Sequence, residues 1–288
     1  MFSTEKSSRN ALILSMCIFG TIGILRRFIP LSSSLVALVR GVVGAAFLIL
    51  VTLIRKEKLD KQAIKNNALL LLLSGIAIGF NWIFLFEAYN YTSVATATLC
   101  YYLAPIIVIL AAPLVCKEKL TPKKGICTLV ARVGMVLVSG ILESGFGGIA
   151  ELKGVFFGLA AAVLYASVIL MNKKMKPISA YDKTILQLVL ASVSLVPYVL
   201  LTENWAAVEL TGLSVVLLLV AGVLHTGLTY WMYFGSIAKL KAHTVALLSY
   251  IDPILAIVLS MVLLREPMTV LSAIGAVLVL GAAYISEK

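Results

Sequence analysis

The sequence predicts an all-α polytopic membrane protein with ten transmembrane helices, arranged as two inverted five-helix repeats. Three observations support this prediction. Of the 288 residues, 61% are hydrophobic and only 13% are charged, about half the charged fraction of a soluble domain. The apolar residues form runs of about 20, the length that crosses a bilayer core. Residues 91–121 are also similar, without a gap, to residues 239–269.

The ten apolar segments are numbered in chain order, and these numbers are kept throughout. The connections between them are short, the longest being a charged loop at 55–67 with no sign of its own fold, so no sizeable soluble domain is expected. We divide the chain into a first repeat, residues 1–142, and a second repeat, residues 152–288. The predicted segments are 11–29, 34–54, 68–88, 92–116, 122–142, 152–172, 182–202, 211–237, 242–264 and 268–286.

The net charge of +11 does not indicate a nucleic-acid partner. Basic residues that bind phosphates form a patch on a folded surface, whereas here they stand in short clusters between apolar runs. The four cysteines lie in or beside apolar runs without metal-ligand spacing, and we interpret them as small packing residues. Lys6 and Arg9 precede the first run as in a signal peptide, but no small-residue cleavage site follows, so this run is interpreted as the first membrane span.

The distribution of lysine and arginine predicts the orientation, because basic loops stay on the cytoplasmic side of a membrane. With a cytoplasmic N-terminus, eighteen basic residues fall in the inner connections and termini. Only four fall outside, namely Arg26, Arg27, Lys153 and Arg265. We therefore expect a multi-pass protein of the cytoplasmic membrane with both termini in the cytoplasm.

A shift of 148 residues aligns segment 4 with segment 9. Because each half contains five crossings, an odd number, the two halves must have opposite orientations in the membrane. Secondary transporters use such inverted repeats to alternate access around a midplane site. The alternative is a duplication kept for stability alone. The matched pairs are Thr96 and Thr244, Leu99 and Leu247, Tyr102 and Tyr250, Pro105 and Pro253, Ile106 and Ile254, Ile109 and Ile257, Glu118 and Glu266, and Thr121 and Thr269.

Two stretches resemble the EamA repeat of the drug/metabolite transporter superfamily. They are NWIFLFEAYNYTSVATATLCYYLAPIIVILAAPLVCKEKLT (81–121) and YFGSIAKLKAHTVALLSYIDPILAIVLSMVLLREPMT (233–269). The family pattern of alanine, mid-helix proline and closing glutamate is filled by Ala88, Pro105 and Glu118 in the first half. In the second half it is filled by Ser236, Pro253 and Glu266, with Ser236 in place of the usual alanine. Phe19-Gly20 stands where Trp-Gly is more typical.

This resemblance covers nearly the whole chain and implies a ten-helix bundle of the bacterial type. It implies a central cavity lined mainly by segments 1, 3, 4, 6, 8 and 9, with segments 5 and 10 at the periphery. Members of the superfamily move amino acids, other metabolites, nucleotide sugars and drugs, so the substrate stays open. No cofactor is implied.

Asp252 is the first candidate for substrate binding or coupling, because a charge at membrane depth is costly and marks function by default. It lies ten residues into segment 9, about 15 Å deep at the helical rise. The next residue, Pro253, has no N–H to donate to the carbonyl of Ser249. An acid beside such a break accepts a proton or binds a cationic group. The alternative is a structural ion pair with Arg40 or Arg132.

Other polar residues at membrane depth complete the candidate site. Glu87 and Arg40 both fall in the predicted outer half and are expected to pair, either as an outer gate or as a link between two helices. Arg132, midway along segment 5, is interpreted as a structural or dimer-contact residue. Glu118 and Glu266 are expected to cap helices or form salt bridges. The remaining candidates share a polar ring or amide within a segment and are Tyr101, Tyr102, Asn81, Trp82, Tyr230, Tyr250, Gln187 and His225, with Pro105 and Pro253 as hinges.

The leading functional hypothesis is a secondary transporter of a small organic solute, with export of amino acids or related metabolites favoured. Proton-coupled uptake of an organic cation or amine is the alternative. The chain lacks GxxxxGK[ST], which argues against direct ATP drive. An enzyme acting on lipid-linked substrates would need a cluster of acids and histidines, and a channel would need polar stripes along several segments. The sequence shows neither pattern, so both alternatives are less favoured. The expected partners are the solute and the lipid bilayer, proton coupling is left open, and the protein is expected to be a monomer or a homodimer.

Overall fold

The computed structural model describes residues 4–116, 122–138, 142, 149–237, 240 and 242–287, and these ranges contain helices and no strand. In the first half, the helices are Glu5–Gly20 and Ile22–Arg27 (segment 1), Ser33–Ile54 (2), Ala68–Tyr91 (3), Val94–Tyr101 and Ala104–Cys116 (4) and Pro122–Val138 (5). In the second half, they are Ile149–Lys174 (6), Ala180–Thr202 (7), Gly212–Leu219, Val220–Leu228 and Thr229–Ile237 (8), Ala242–Ser249 and Ile251–Leu263 (9) and Val270–Glu287 (10).

Seven of the described helices are long and apolar enough to cross a membrane, and they form segments 1, 2, 3, 4, 6, 7 and 8. The apolar helices of segments 5, 9 and 10 are shorter, at Gly125–Val138, Ile251–Leu263 and Val270–Ile285. The predicted all-helical class is therefore confirmed. Ten membrane crossings remain a prediction.

Helix starts depend on polar side chains that lie outside the apolar runs. Thr4 accepts a hydrogen bond from the amide of Ser7, so segment 1 begins at Glu5 rather than at the predicted residue 11. Asp60 accepts one from the amide of Ala63 and begins a short helix, Lys61–Asn66. The charged loop at 55–67 therefore contains one short helix, because an N-cap stabilises a first turn without any apolar periodicity. A helix of this length is not a fold of its own.

Segments 4 and 9 break at the tyrosine that lies three residues before the repeated proline. Tyr102 has φ −72° and ψ 4°, and Tyr250 has φ −73° and ψ −10°. A proline cannot donate to the carbonyl four residues earlier, so Pro253 leaves the Ser249 carbonyl without its helical donor. Both segments are thus interrupted just before the repeated proline, and the matched tyrosines share nearly the same backbone conformation. A hinge role for Pro105 and Pro253 remains a prediction.

Loop residues that are far apart in the chain meet at two places, which we take as the two ends of the bundle. At one end, Nη2 of Arg27 donates to the carbonyl of Thr92 at 2.8 Å. At the other, the amide of Asp60 donates to Oδ2 of Asp182 at 3.3 Å. We call these the Arg27 end and the Asp60 end. The predicted orientation places the Asp60 end in the cytoplasm.

The packing of the segments separates a central group from a peripheral pair. Segment 3 packs on segments 6 and 7, segment 8 on segments 1 and 2, segment 4 on segments 6 and 9, and segment 9 on segment 1. Segments 5 and 10 pack chiefly on each other. Their backbones approach closely, since a Cβ added at Gly275 would lie 2.6 Å from the carbonyl oxygen of Gly134. This agrees with the peripheral position that the resemblance implied for this pair.

Candidate substrate and coupling site

The two broken segments meet through a hydrogen bond between Tyr102 and Asp252. The Tyr102 hydroxyl donates to Oδ2 of Asp252 at 2.7 Å. The same hydroxyl lies 3.5 Å from the carbonyl oxygen of Ser249, which is the carbonyl that Pro253 leaves without its helical donor. The first break therefore supplies a donor to the acid of the second break, and this donor lies near the carbonyl that Pro253 leaves without its helical partner.

Close packing against segment 1 holds Asp252 in place. A Cβ added at Gly20 would lie 2.8 Å from the backbone carbonyl oxygen of Asp252. Because Gly20 has no side chain, the backbone of segment 1 contacts the backbone of segment 9 beside Asp252. A larger residue at position 20 would push the two segments apart. Pro253 is buried beside it, while the Asp252 side chain is only half-buried.

Half-exposed aromatic rings surround the acid inside the bundle. The Tyr101 ring stacks on Tyr165 of segment 6 with the centroids 5.2 Å apart, and it meets Tyr102 edge-on at 6.3 Å. Tyr165 retains 39% of its surface, and Tyr101 and Tyr102 are half-buried. All three are electrostatic neighbours of Asp252. We call the space bordered by Tyr101, Tyr102, Tyr165 and Asp252 the tyrosine vestibule.

A second aromatic wall comes from segments 1 and 8. Tyr230 meets Phe19 edge-on at 5.5 Å and Phe234 at 6.0 Å. Tyr230 is also an electrostatic neighbour of Tyr101, so the two walls border the same space. Phe19 thus makes the aromatic contact at a position where the family more often has tryptophan.

Arg40 is a buried cation held by an aromatic ring and a hydroxyl. Its guanidinium carbon lies 4.3 Å from the centroid of Trp82, and its Nε donates to Oγ1 of Thr226 at 3.1 Å. Tyr101 and Tyr230 are its electrostatic neighbours. The cation therefore lies beside the tyrosine vestibule, which has Asp252 on its border.

The predicted pair between Arg40 and Glu87 does not form. Oε2 of Glu87 is 3.5 Å from Nδ2 of Asn90, and its electrostatic neighbour is Arg26 near the Arg27 end. Among the described residues, no carboxylate lies within 4.0 Å of the Arg40 guanidinium. The prediction assumed that similar depth means contact, but Arg40 instead faces Thr226 of segment 8 and the ring of Trp82.

Two more candidates, Asn81 and Gln187, lie in contacts between segments. Nδ2 of Asn81 donates to the carbonyl of Ala161 at 2.6 Å. Nε2 of Gln187 donates to Ser74 at 2.7 Å and to Asn172 at 2.8 Å. These contacts link segment 3 to segment 6 and segment 7 to segments 3 and 6. The structure does not bring Gln187 to the vestibule.

Tyr250 and His225 also have partners away from Asp252. The Tyr250 ring meets Tyr284 of segment 10 edge-on at 5.8 Å. His225 is buried, and its Nε2 is hydrogen-bonded to Oγ1 of Thr21 at 2.8 Å. It lies in the π-helical stretch Val220–Leu228. Of the two interpretations of this histidine, the geometry favours a structural link between segments 1 and 8 over a proton relay.

Glu266 joins three segments at the Arg27 end, as predicted for a capping or salt-bridging acid. Its Oε1 lies 2.6 Å from Nη2 of Arg27, and its Oε2 accepts from the amide of Val94 at 2.8 Å and from the hydroxyl of Ser260. Its position at the start of the helix Val94–Tyr101 also suits a carboxylate, because helix N-termini favour negative charge. The matched acid Glu118 lies outside the described residues.

Two residues near Arg40 and Asp252, and a separate cavity, were not predicted from the sequence. Sequence reasoning missed Thr226 and also Tyr89, which is an electrostatic neighbour of Asp252 and Arg40. A threonine beside a histidine and one tyrosine among eleven carry no distinguishing pattern. Arg132 is exposed on the outer face of segment 5 and forms no pair with Asp252. A cavity of about 620 Å³ lies at the Arg27 end and is lined chiefly by segments 4, 9 and 10 and the connections beside them. It does not include the vestibule residues.

Comparison with known protein families identifies the family to which this chain belongs. The sequence model of the EamA-like transporter family matches residues 10–140 and, a second time, residues 152–287. The chain belongs to the EamA-like transporter family. The predicted family is thus confirmed, and with the apolar helices it identifies a multi-pass membrane protein of a transporter family.

Several relatives of this EamA-like protein span most of its length. The uncharacterized transporter YxxF of Bacillus subtilis (strain 168) is 30% identical over 253 residues, covering 87% of this chain and 80% of YxxF. An uncharacterized transporter of Clostridium kluyveri is 26% identical over 247 residues, covering 84% of this chain and 79% of the relative. A solved structure titled "Crystal structure of protein" aligns with a TM-score of 0.67 and 19% identity over 97% of both chains, and it shows the same fold.

Proposed function

We propose that this protein is a secondary active transporter that moves a small organic solute across the cytoplasmic membrane by alternating access. Export of amino acids or related metabolites is the favoured activity, with both termini in the cytoplasm. The observation that carries the proposal is the bond from Tyr102 to Asp252, which joins two broken helices beside a half-exposed aromatic surface. Broken helices at a shared centre are where secondary transporters bind substrates and coupling ions.

The contacts between segments support two inverted repeats. Segments 1 to 5 of the first half correspond in order to segments 6 to 10 of the second half. When every segment is replaced by its partner, the contact between segments 3 and 6 becomes the contact between segments 8 and 1. In the same way, 3 with 7 becomes 8 with 2, and 4 with 6 becomes 9 with 1, all of which are observed contacts. The pairs 2 with 7, 4 with 9 and 5 with 10 map onto themselves. Two matches of one family model on the two halves give independent support.

The charges beside the vestibule favour a solute that carries both a carboxylate and an amino group. Arg40 provides a cation next to Tyr101, and Asp252 provides an anion next to the same ring. The aromatic walls provide apolar surface for a side chain. An amino acid satisfies all three features at once.

Uptake of an organic cation coupled to protons is the second candidate. It is favoured by Asp252 itself, because no basic side chain among the described residues lies within 4.0 Å of its carboxylate. A cation between Asp252 and the tyrosine rings would be stabilised by charge and by the ring faces. In this case, Arg40 has only a structural role.

The test begins with a thermal-shift screen of the purified protein against the standard amino acids and a set of primary and quaternary amines. A ligand that binds the native state raises its melting temperature. Each hit is then used as a labelled solute for counterflow in proteoliposomes. Trans-stimulated exchange supports the transporter, whereas flux without trans-stimulation indicates a channel and conversion without flux an enzyme.

Two charge-removing variants separate the candidate substrates. For an amino acid, Asp252→Asn and Arg40→Gln both abolish counterflow, while Arg132→Gln on the exposed face of segment 5 leaves it unchanged. For an organic cation, Asp252→Asn abolishes counterflow and Arg40→Gln retains it wherever the protein stays folded. Proton coupling is tested with Asp252→Asn and Glu87→Gln, and transport that keeps its pH dependence in both variants would refute coupling through these acids.

A further inference from the structure

We propose that Tyr102 relays the charge state of Asp252 to the helix break of segment 9, so that neutralising the acid changes the backbone at Tyr250. This inference deepens the proposed transport function, because it assigns a conformational consequence to cation binding at the same acid. Tyr102 acts here as a positioning residue. Tyr102 affects segment 9 through its hydroxyl, which has two possible acceptors within reach.

The hydroxyl has one proton and two acceptors in reach. It donates to Oδ2 of Asp252 at 2.7 Å, whereas the Ser249 carbonyl oxygen is 3.5 Å away, at the outer limit of hydrogen bonding. A carboxylate binds a donor more strongly than a neutral carbonyl does. The charged acid therefore keeps the hydroxyl away from the carbonyl that the missing N–H of Pro253 leaves free.

Neutralisation of Asp252 reverses this preference. When a hydronium ion of the solvent gives its proton to the Asp252 carboxylate, an O–H bond forms on the acid, its negative charge is lost and a water molecule is left, while Tyr102 keeps its own proton. An ammonium group of a solute removes the same charge by pairing with it. The Tyr102 hydroxyl then turns to the Ser249 carbonyl and caps the C-terminus of the helix Ala242–Ser249.

The surroundings of Asp252 make Tyr102 the group that responds. Segment 4 presents Tyr101 and Tyr102 to the acid, segment 3 presents Tyr89 and segment 6 presents Tyr165. Segment 1 meets it with the backbone of Gly20. Segment 1 continues to Arg26 and Arg27, whose partners lie at the Arg27 end of the bundle. Within the described residues, the hydrogen bond from Tyr102 is the direct side-chain contact of the carboxylate.

The two halves differ at this point, which gives the relay a direction. The repeat partner of Asp252 is Ala104, so the break at Tyr102 has no acid of its own. The relay therefore changes the backbone of segment 9 at its break and leaves the backbone at the break of segment 4 unchanged. An otherwise symmetric pair of breaks would then respond asymmetrically to one bound cation.

A double-mutant cycle in lipid nanodiscs tests the relay at one fixed pH. Amide hydrogen exchange is measured over peptides that cover residues 249–255 in the wild type, Asp252→Asn, Tyr102→Phe and the double variant. Asp252→Asn should change this exchange about three-fold or more, as expected for residues in direct contact. In the Tyr102→Phe background, the same substitution should have no further effect.

Tyr101→Phe is the matched control, because it removes the same hydroxyl from the neighbouring residue, whose ring stacks on Tyr165. In that background, Asp252→Asn should keep its full effect. Equal effects of Asp252→Asn in the Tyr102→Phe and wild-type backgrounds would overturn the relay, as would no effect in the wild type. The measurement needs no substrate. An intact relay with no counterflow would therefore refute the transport proposal alone, and the converse result would refute the relay alone.

Discussion

Single residues in the centre of the molecule show what polar groups do at membrane depth. The sequence identified Asp252 and Arg40 by the cost of burying charge, and it identified Tyr102 by its place in the repeat. It did not identify their partners. Arg40 contacts Trp82 and Thr226 rather than Glu87, because side-chain direction around a helix decides contact, and depth along the helix does not.

A prediction at this scale concerns Thr226, whose Oγ1 accepts from Arg40 and donates to the carbonyl of Ala221. Thr226→Val leaves a buried cationic donor without its acceptor, so it should lower the free energy of unfolding by about 1–3 kcal/mol. Thr202→Val is the control, because Thr202 makes the same backbone bond, to Tyr198, on an exposed face, where changes stay within about 0.5 kcal/mol. Thermal unfolding in detergent measures both, and equal shifts would show that Arg40 gains nothing from Thr226.

At the scale of elements, bare backbone decides how closely the segments approach. Apolar length predicted where the helices lie, but the chain contains 20 glycines, and their spacing did not reveal which ones face another helix. Gly134 and Gly275 meet across segments 5 and 10, whereas a Cβ at Gly281 would have nothing within 4 Å. In a membrane, where no hydrophobic force joins helices, such close contact is a main source of association.

Gly275→Ala and Gly281→Ala therefore form a matched pair on one helix. A Cβ at Gly275 would meet the rigid carbonyl of Gly134 at 2.6 Å, and relieving that clash should cost about 1–3 kcal/mol. Gly281→Ala should leave stability unchanged or raise it by up to about 1 kcal/mol, because alanine favours the helix. Apparent melting temperatures in the same detergent compare the two. A Gly275→Ala protein as stable as the Gly281→Ala protein would contradict the close crossing.

At the scale of the whole molecule, contacts at the Arg27 end join the two halves. Glu266 of segment 9 binds Arg27 of segment 1 and the amide of Val94 in segment 4. Glu203, at the end of segment 7, accepts hydrogen bonds from the hydroxyls of Ser32 and Ser34 at the start of segment 2, also at the Arg27 end. The two acids lie at the same end but bind different donors and connect different segments, which makes each a control for the other.

Glu266→Gln should therefore loosen a defined part of this end. Losing a partly exposed ion pair costs up to about 1 kcal/mol, so amide hydrogen exchange at residues 92–98 should rise by about five-fold. Glu203→Gln should raise exchange near residues 32–36 and leave 92–98 unchanged. Exchange measured on both variants in nanodiscs checks this, and a rise spread over all segments in either variant would argue against a local contact.

The sequence by itself determined the class of this protein, its apolar segments, its internal repeat and its family. These follow from composition, from lengths set by bilayer thickness and from motifs that lie within one segment. The tertiary structure decided which side chains meet across segments. Only there does the Tyr102 hydroxyl reach Asp252 and the free carbonyl of Ser249, while Gln187 and His225 are held in contacts between helices. Such pairings depend on helix rotation and close approach, which residues far apart in the chain determine together.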